Sequence, residues 1–251
     1  MSHDTPILAV RGATMRFGGF TALSNVTADF PVGELTAIIG PNGAGKSTLF
    51  NILSGAFPPT EGEVLFNGTN VAGKRQHHFA RMGISKSFQI TNVFPELSVQ
   101  ENVRVAVQAM TRRFDLWTPR SRYREMIDRA VELLRVVGLE NHRGRLASEL
   151  AHGEQRSLEI AMAMACEPKV LLLDEPTAGM SPEETVGVID VILTLAKSCT
   201  IILVEHKMKL VMDISDQILV LHHGEFLAKG APHEIRANDE VKRVYLGEGR
   251  K

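Results

Sequence analysis

Short apolar runs punctuate the chain at Leu35–Ile39, Val170–Leu173, Cys199–Val204 and Gln217–Leu221. Each is bounded by turn or polar residues and lacks a polar face, the pattern of strands buried on both sides of a sheet. Helical patterns lie between them, so the alternation predicts an α/β fold with a largely parallel sheet. The segment from about Ile7 to Phe30, with Glu63–Phe66, differs. Its short alternating runs are split by Gly12, Gly18 and Gly19, which predicts antiparallel strands. From about Ser98 to Val137 the period becomes helical, and Met126, Ile127, Ala130, Val131, Leu134 and Val137 form one apolar stripe. Ser181-Pro182-Glu183-Glu184 predicts a helix start, with Ser181 as cap, Pro182 in the first turn and Glu184 completing a capping box. Val186, Ile189, Leu193 and Ala196 are then expected on the buried face. Arg112, Arg113, Arg120, Arg122 and Arg124 crowd the middle of the chain. A solvated helical face is the plainer reading of that stretch, and a contact surface for a partner protein the other.

Composition narrows the class. The 251 residues suit one large or two small domains, and 44% apolar with 23% charged residues is globular rather than disordered. No apolar run approaches the ~18 residues of a membrane span. The first ten residues lack a basic region and a long apolar stretch, so no secretory signal is expected. Two cysteines, Cys166 and Cys199, exclude a disulfide scaffold and are expected as small buried groups. Lys plus Arg is 28 against 29 for Asp plus Glu, which gives no electrostatic reason to expect a nucleic acid. The adjacent pairs His77-His78 and His222-His223 do not have metal-ligand spacing.

The sharpest chemistry is Gly40-Pro41-Asn42-Gly43-Ala44-Gly45-Lys46-Ser47-Thr48, a match to G-x-x-x-x-G-K-[ST]. It follows an apolar run and opens the helix pattern Ser47–Leu53, the context this phosphate-binding loop requires. Its glycines let successive N–H groups point inward at phosphate oxygens, and the helix N-terminus adds partial positive charge. Lys46 is expected to reach the β- and γ-phosphates and Ser47 to ligate Mg²⁺. The run Val170–Leu173 ends in Asp174-Glu175. A strand's carboxyl end is where ligands bind in open α/β sheets. Asp174 is expected to hold Mg²⁺, and Glu175 to act as general base on the attacking water.

With these residues in place, the chain resembles the nucleotide-binding subunit of ATP-binding cassette (ABC) transporters along nearly its whole length. Leu150-Ala151-His152-Gly153-Glu154-Gln155 is similar to the family's L-S-G-G-Q signature. The resemblance implies that Ala151, His152, Gly153 and Glu154 meet the γ-phosphate held by a dimer partner. It places Gln89 as the Q-loop glutamine, near Mg²⁺ and the reacting phosphate, His206 as the switch histidine and Phe17 as the aromatic that stacks on adenine. It implies a P-loop NTPase (RecA-like) core with an N-terminal antiparallel β subdomain. An α-helical subdomain, about residues 89–167, is inserted between core segments of about 1–88 and 168–251. Phe94-Pro95-Glu96-Leu97-Ser98-Val99 would face a coupling helix of a membrane partner.

The stretch Ser87 to Val103, the run Val204-Glu205-His206-Lys207-Met208 and the ending Val241 to Gly247 are similar to importer ATPases for branched-chain and related hydrophobic amino acids. The insert around Thr111–Arg122 resembles the longer of the two paralogues those systems pair. The implied partners are a second ATPase (a copy of itself in isolation, a paralogue in the transporter), two integral-membrane permeases and, indirectly, a periplasmic binding protein. The implied place is the cytoplasmic face of the inner membrane. Urea, another small solute or lipid export are the alternative cargoes. Cassette proteins of DNA repair or translation differ in carrying two cassettes or a coiled-coil insert. The pattern is broken at Ala151, where the family usually has serine, at His152 in place of glycine, and at Ser181, where many members have Asp. With alanine at position 151, the hydroxyl of the usual serine is missing, which removes one phosphate donor.

Overall fold

A computed structural model describes residues 5–87, 93–110 and 120–246. Its strands are β1 (Leu8–Phe17), β2 (Phe20–Phe30), β3 (Leu35–Ile39), β4 (Glu61–Phe66), β5 (Thr69–Asn70), β6 (Ile84–Lys86), β7 (Val170–Asp174), β8 (Thr200–Val204), β9 (Gln217–His222) and β10 (Glu225–Gly230). They form two sheets. One is antiparallel with order β2-β1-β4-β5, and the other has order β10-β9-β3-β8-β7-β6. Within the second, β9, β3, β8, β7 and β6 run parallel and β10 closes an antiparallel edge. Both predicted sheet types are present, and the four apolar runs are its central strands.

Side-chain alternation explains why those runs are apolar throughout. Leu35, Ala37, Ile39, Leu171, Leu173, Ile201 and Leu203 point into one core with the helices. Ile38, Val170, Leu172, Ile202 and Val204 point the other way, into a core shared with β1, β2 and the helix that follows the phosphate loop.

The helices are α1 (Lys46–Leu53), α2 (Gln76–Met82), α3 (Val99–Met110), α4 (Arg120–Val136), α5 (His152–Met164), α6 (Pro182–Ala196), α7 (Met208–Ile214) and α8 (Pro232–Ala237). The stripe predicted in the middle segment faces inward on α4. Met126, Ala130 and Leu134 are buried there, as is Val137 just beyond its end, while Ile127 and Val131 are half-buried. Arg124 is exposed, as a solvated face requires. Arg112 and Arg113 lie outside the described residues, and only the backbone of Arg120 and Arg122 is described.

The expected face of α6 needs correction. The helix starts where predicted, with Ser181 Oγ accepting from the Glu184 N–H at 3.2 Å and the Glu184 carboxylate accepting from the Ser181 N–H at 3.0 Å. Its buried residues, however, are Val188, Val191, Ile192 and Leu195. Val186 is 59% exposed and Leu193 39%. Two apolar stripes are available along this helix, and packing against α5 selects the one sequence spacing did not.

Candidate functional site

In the sheet order, β8 lies between β3 and β7, so the carboxyl ends of three neighbouring parallel strands converge. Gly40–Gly45 leaves β3, Asp174 ends β7, and Glu205-His206 follows β8. The loop curls tightly, with the Ala44 N–H donating to the Pro41 carbonyl at 3.2 Å. Gly45 has φ 96°, and a Cβ there would lie 2.7 Å from Leu23 Cδ2 and 2.8 Å from the Ala22 carbonyl. Only glycine lets this turn pack so closely against β2. The turn before β10 helps to hold the loop, since the Gly224 N–H donates to the Ala44 carbonyl at 3.1 Å.

Lys46 is buried with Nζ donating to the carbonyls of Gly40 at 2.8 Å and Pro41 at 3.0 Å. Burial lowers its ammonium below the ordinary lysine range, and the carboxylates of Glu175 and Asp174 oppose that shift. Asn42, Gly43 and Ser47 are exposed, and Pro41 and Thr48 half-buried. The lysine and both carboxylates therefore share one electrostatic neighbourhood, as the motifs require.

Asp174 is 6% exposed. Burial pushes its carboxyl upward, Lys86 opposes that, and Glu175 adds to it. A buried carboxylate and the Ser47 hydroxyl are hard oxygen donors, and this donor set fits a small divalent cation such as Mg²⁺.

Glu175 has φ 45°, a left-handed backbone that an ordinary residue adopts at a cost of order 1 kcal/mol or more. That geometry brings Glu175 Oε1 to 2.6 Å from His206 Nε2. Behind the pair sits Glu205, 3% exposed. Its carboxylate accepts from the Thr177 N–H at 3.1 Å, the Thr177 hydroxyl at 2.6 Å and the His206 N–H at 3.0 Å. Glu205 thus fixes the turn after Glu175 to the turn that carries His206. Sequence reasoning gave it no role. The available signal was a carboxylate directly after an all-apolar strand, where burial requires partners. Lys86 was missed too. It donates to Asn51 Oδ1 at 2.7 Å and lies over the Phe50 ring, bracing α1 from below.

Phe17 lies at the β1–β2 turn, 49% exposed, with its ring edge-on to Phe57 at 5.8 Å. About half of its surface is thus open to solvent, so the ring is not part of the core. Gln89 lies outside the described residues.

Ala151-His152-Gly153-Glu154 opens α5. Ala151 and His152 are exposed. No hydrogen bond joins the four residues to the phosphate loop among the described residues. Glu154 turns back to accept from the Ala151 N–H at 2.9 Å. The Gly153 N–H is already engaged, donating to Glu184 Oε1 at 3.1 Å. A Cβ on Gly153 would lie 3.0 Å from Glu184 Cβ, so glycine is what permits this approach.

Comparison with known proteins agrees with this geometry. A family model described as ABC transporter matches residues 23–178, and one described as branched-chain amino acid ATP-binding cassette transporter matches 227–251. The chain is 46% identical to the high-affinity branched-chain amino acid transport ATP-binding protein LivG of Salmonella typhimurium, over 97% of this chain and 98% of the relative. It is 41% identical to the corresponding protein BraF of Pseudomonas aeruginosa, with the same coverage. Among solved structures, an ABC transporter cassette in its ADP conformation is similar, with TM-score 0.86, 29% identity, and 98% of this chain and 100% of that chain covered. A dimeric bacterial ABC transporter cassette gives TM-score 0.76 at 26% identity, with 90% of this chain and 98% of that chain covered.

Proposed function

Because the chain belongs to the ABC transporter family, and so is an ATP-binding and ATP-hydrolysing subunit, we propose that it powers import of branched-chain or related amino acids through partner permeases. The observation behind the chemistry is the 2.6 Å contact between Glu175 and His206, set beside a phosphate loop at the carboxyl ends of β3, β7 and β8. Support for the cargo comes from the relatives' names and from the match at residues 227–251. They do not favour urea or lipid export.

In this reading, Phe17 stacks on adenine. Loop N–H groups from Gly40 to Thr48 surround the phosphates, and Lys46 turns its ammonium from the Gly40 and Pro41 carbonyls toward the β- and γ-phosphates. Asp174 and Ser47, with Gln89 by family resemblance, would hold Mg²⁺, which when bound would supply positive charge to the phosphates. Water attacks the γ-phosphorus, its proton passes to Glu175, and the bond to the ADP oxygen breaks. His206 holds Glu175 by their hydrogen bond and orients it toward that water.

The exposed Ala151 and His152 serve the site of a second ATPase, a copy of this chain in isolation and a paralogue in the assembled transporter. No helix among the described residues is long and apolar enough to cross a membrane. In the same reading, two permease subunits hold the chain at the cytoplasmic face, and a periplasmic binding protein delivers solute on the far side. A groove of about 420 Å³ lined in part by Lys86, Ala106, Met162 and Ala163 offers a surface for a permease helix, and Phe94 and Leu97 are separately exposed apolar side chains.

The test is leucine uptake by vesicles carrying the permeases, the binding protein and both ATPases. Uptake should require ATP and stop with Lys46→Ala. ATP-driven uptake of urea but not leucine would refute the cargo.

A further inference from the structure

Helix α5 is joined to the catalytic turn by a side chain to which neither the motifs nor the comparisons give a role. Arg156, 7% exposed, lies one turn into α5. Its Nη2 donates to the Asp174 carbonyl at 2.8 Å, and its Nη1 to Glu159 Oε2 at 2.7 Å. The Asp174 carbonyl belongs to the peptide bond from which Glu175 hangs. The other polar atom of that peptide is held as well, since the Glu175 N–H donates to the Val204 carbonyl at 2.9 Å. Glu175 needs such restraint because its φ of 45° is disfavoured and persists only where surroundings over-determine it. A guanidinium suits the task, because its planar fork can serve a carboxylate and a carbonyl at once, which an ammonium on a flexible stem does less well. The remainder of the turn is clasped to the same helix, since Glu184 accepts from both the Gly153 and Ser181 N–H groups.

We propose that Arg156 is a positioning residue for ATP hydrolysis, which holds the Asp174–Glu175 peptide so that the Glu175 carboxylate stays aimed at the attacking water. This rests on the reading of Glu175 as general base. A residue that aims the base contributes to the transition state and little to nucleotide binding, so its removal lowers kcat and leaves KM almost unchanged.

The experiment uses the full chain with Mg-ATP. Arg156→Lys keeps the charge and loses the fork. Arg156→Met combined with Glu159→Leu removes the buried pair together, so that no charge is stranded and folding is protected. Arg156→Lys should lower kcat about tenfold and the double variant further, each with KM within about threefold of wild type. Placed on Glu175→Gln, the same changes should cause no further loss of residual turnover, because the group they aim is gone. Wild-type kcat in both folded variants would overturn the proposal, and so would a further tenfold loss on the Glu175→Gln background. A wild-type chain without ATPase activity would instead overturn the reading of the site itself, and this inference with it.

Discussion

At the scale of single residues, the site separates groups that bind from groups that act. Lys46 is buried in the field of Glu175 and Asp174, and the proposed function has its charge attract the β- and γ-phosphates. Lys46→Ala should abolish measurable hydrolysis and weaken ATP binding in a fluorescent-nucleotide titration. Phe17 makes the opposite prediction. Stacking is made equally in ground and transition states, and is worth ~1–3 kcal/mol per base, or roughly 5- to 150-fold in affinity. Phe17→Ala should raise KM for ATP within that range and leave kcat within about twofold. An unchanged KM would show that another side chain holds the base. Lys46 was legible in sequence through the loop motif, whereas the role proposed for Phe17 comes from the family resemblance. Glu205 and Arg156 were not legible, because their partners Thr177 and Asp174 are distant in sequence and only the fold brings them together.

At the scale of elements, the N-termini of α5 and α6 are joined through Glu184, whose carboxylate accepts from Ser181 and Gly153 N–H groups. Those bonds hold its carboxyl below the usual range. A depressed native value means that the folded state favours the ionised form, so this contribution to stability is present at neutral pH. It is lost as pH falls below about 4.5 and through the lower native value. Thermal melts of wild type and Glu184→Gln should therefore differ at pH 7 and converge toward pH 3. A gap that persists unchanged at low pH would assign the effect to shape rather than charge. Gly153→Ala tests the same junction sterically. Its Cβ would meet Glu184 Cβ at 3.0 Å, and the chain should lose turnover severalfold while still binding ATP. Sequence spacing found the start of α6 because caps are local chemistry. It misplaced the buried face because Val186 and Leu193 sit at helical spacing as good as that of Val188 and Leu195, and tertiary packing alone distinguishes them. The central strands were easier, since burial on both faces leaves no polar positions to confuse.

At the scale of the whole molecule, the proposed function has one chain present half of two sites. The phosphate loop, Asp174, Glu175 and His206 lie together, whereas Ala151 and His152 are exposed on a helix packed against α3, α4 and α6. The proposed sandwich completes each site with the other's signature, and Ala151 makes the two halves unequal if the partner carries serine. A missing charge-assisted donor worth ~1.5–3 kcal/mol corresponds to roughly a tenfold to hundredfold slower site. In the assembled transporter, Glu175→Gln here and the same change in the partner should then reduce ATPase activity unequally, and Ala151→Ser should raise it. Equal losses and no gain would remove the asymmetry. The central claim, that ATP is hydrolysed between two copies, is tested most directly by light scattering on the Glu175→Gln chain after gel filtration. With Mg-ATP the account predicts a stable dimer with only residual turnover, and without nucleotide a monomer. A chain that binds Mg-ATP and stays monomeric, alone and with its partner ATPase added, would contradict it.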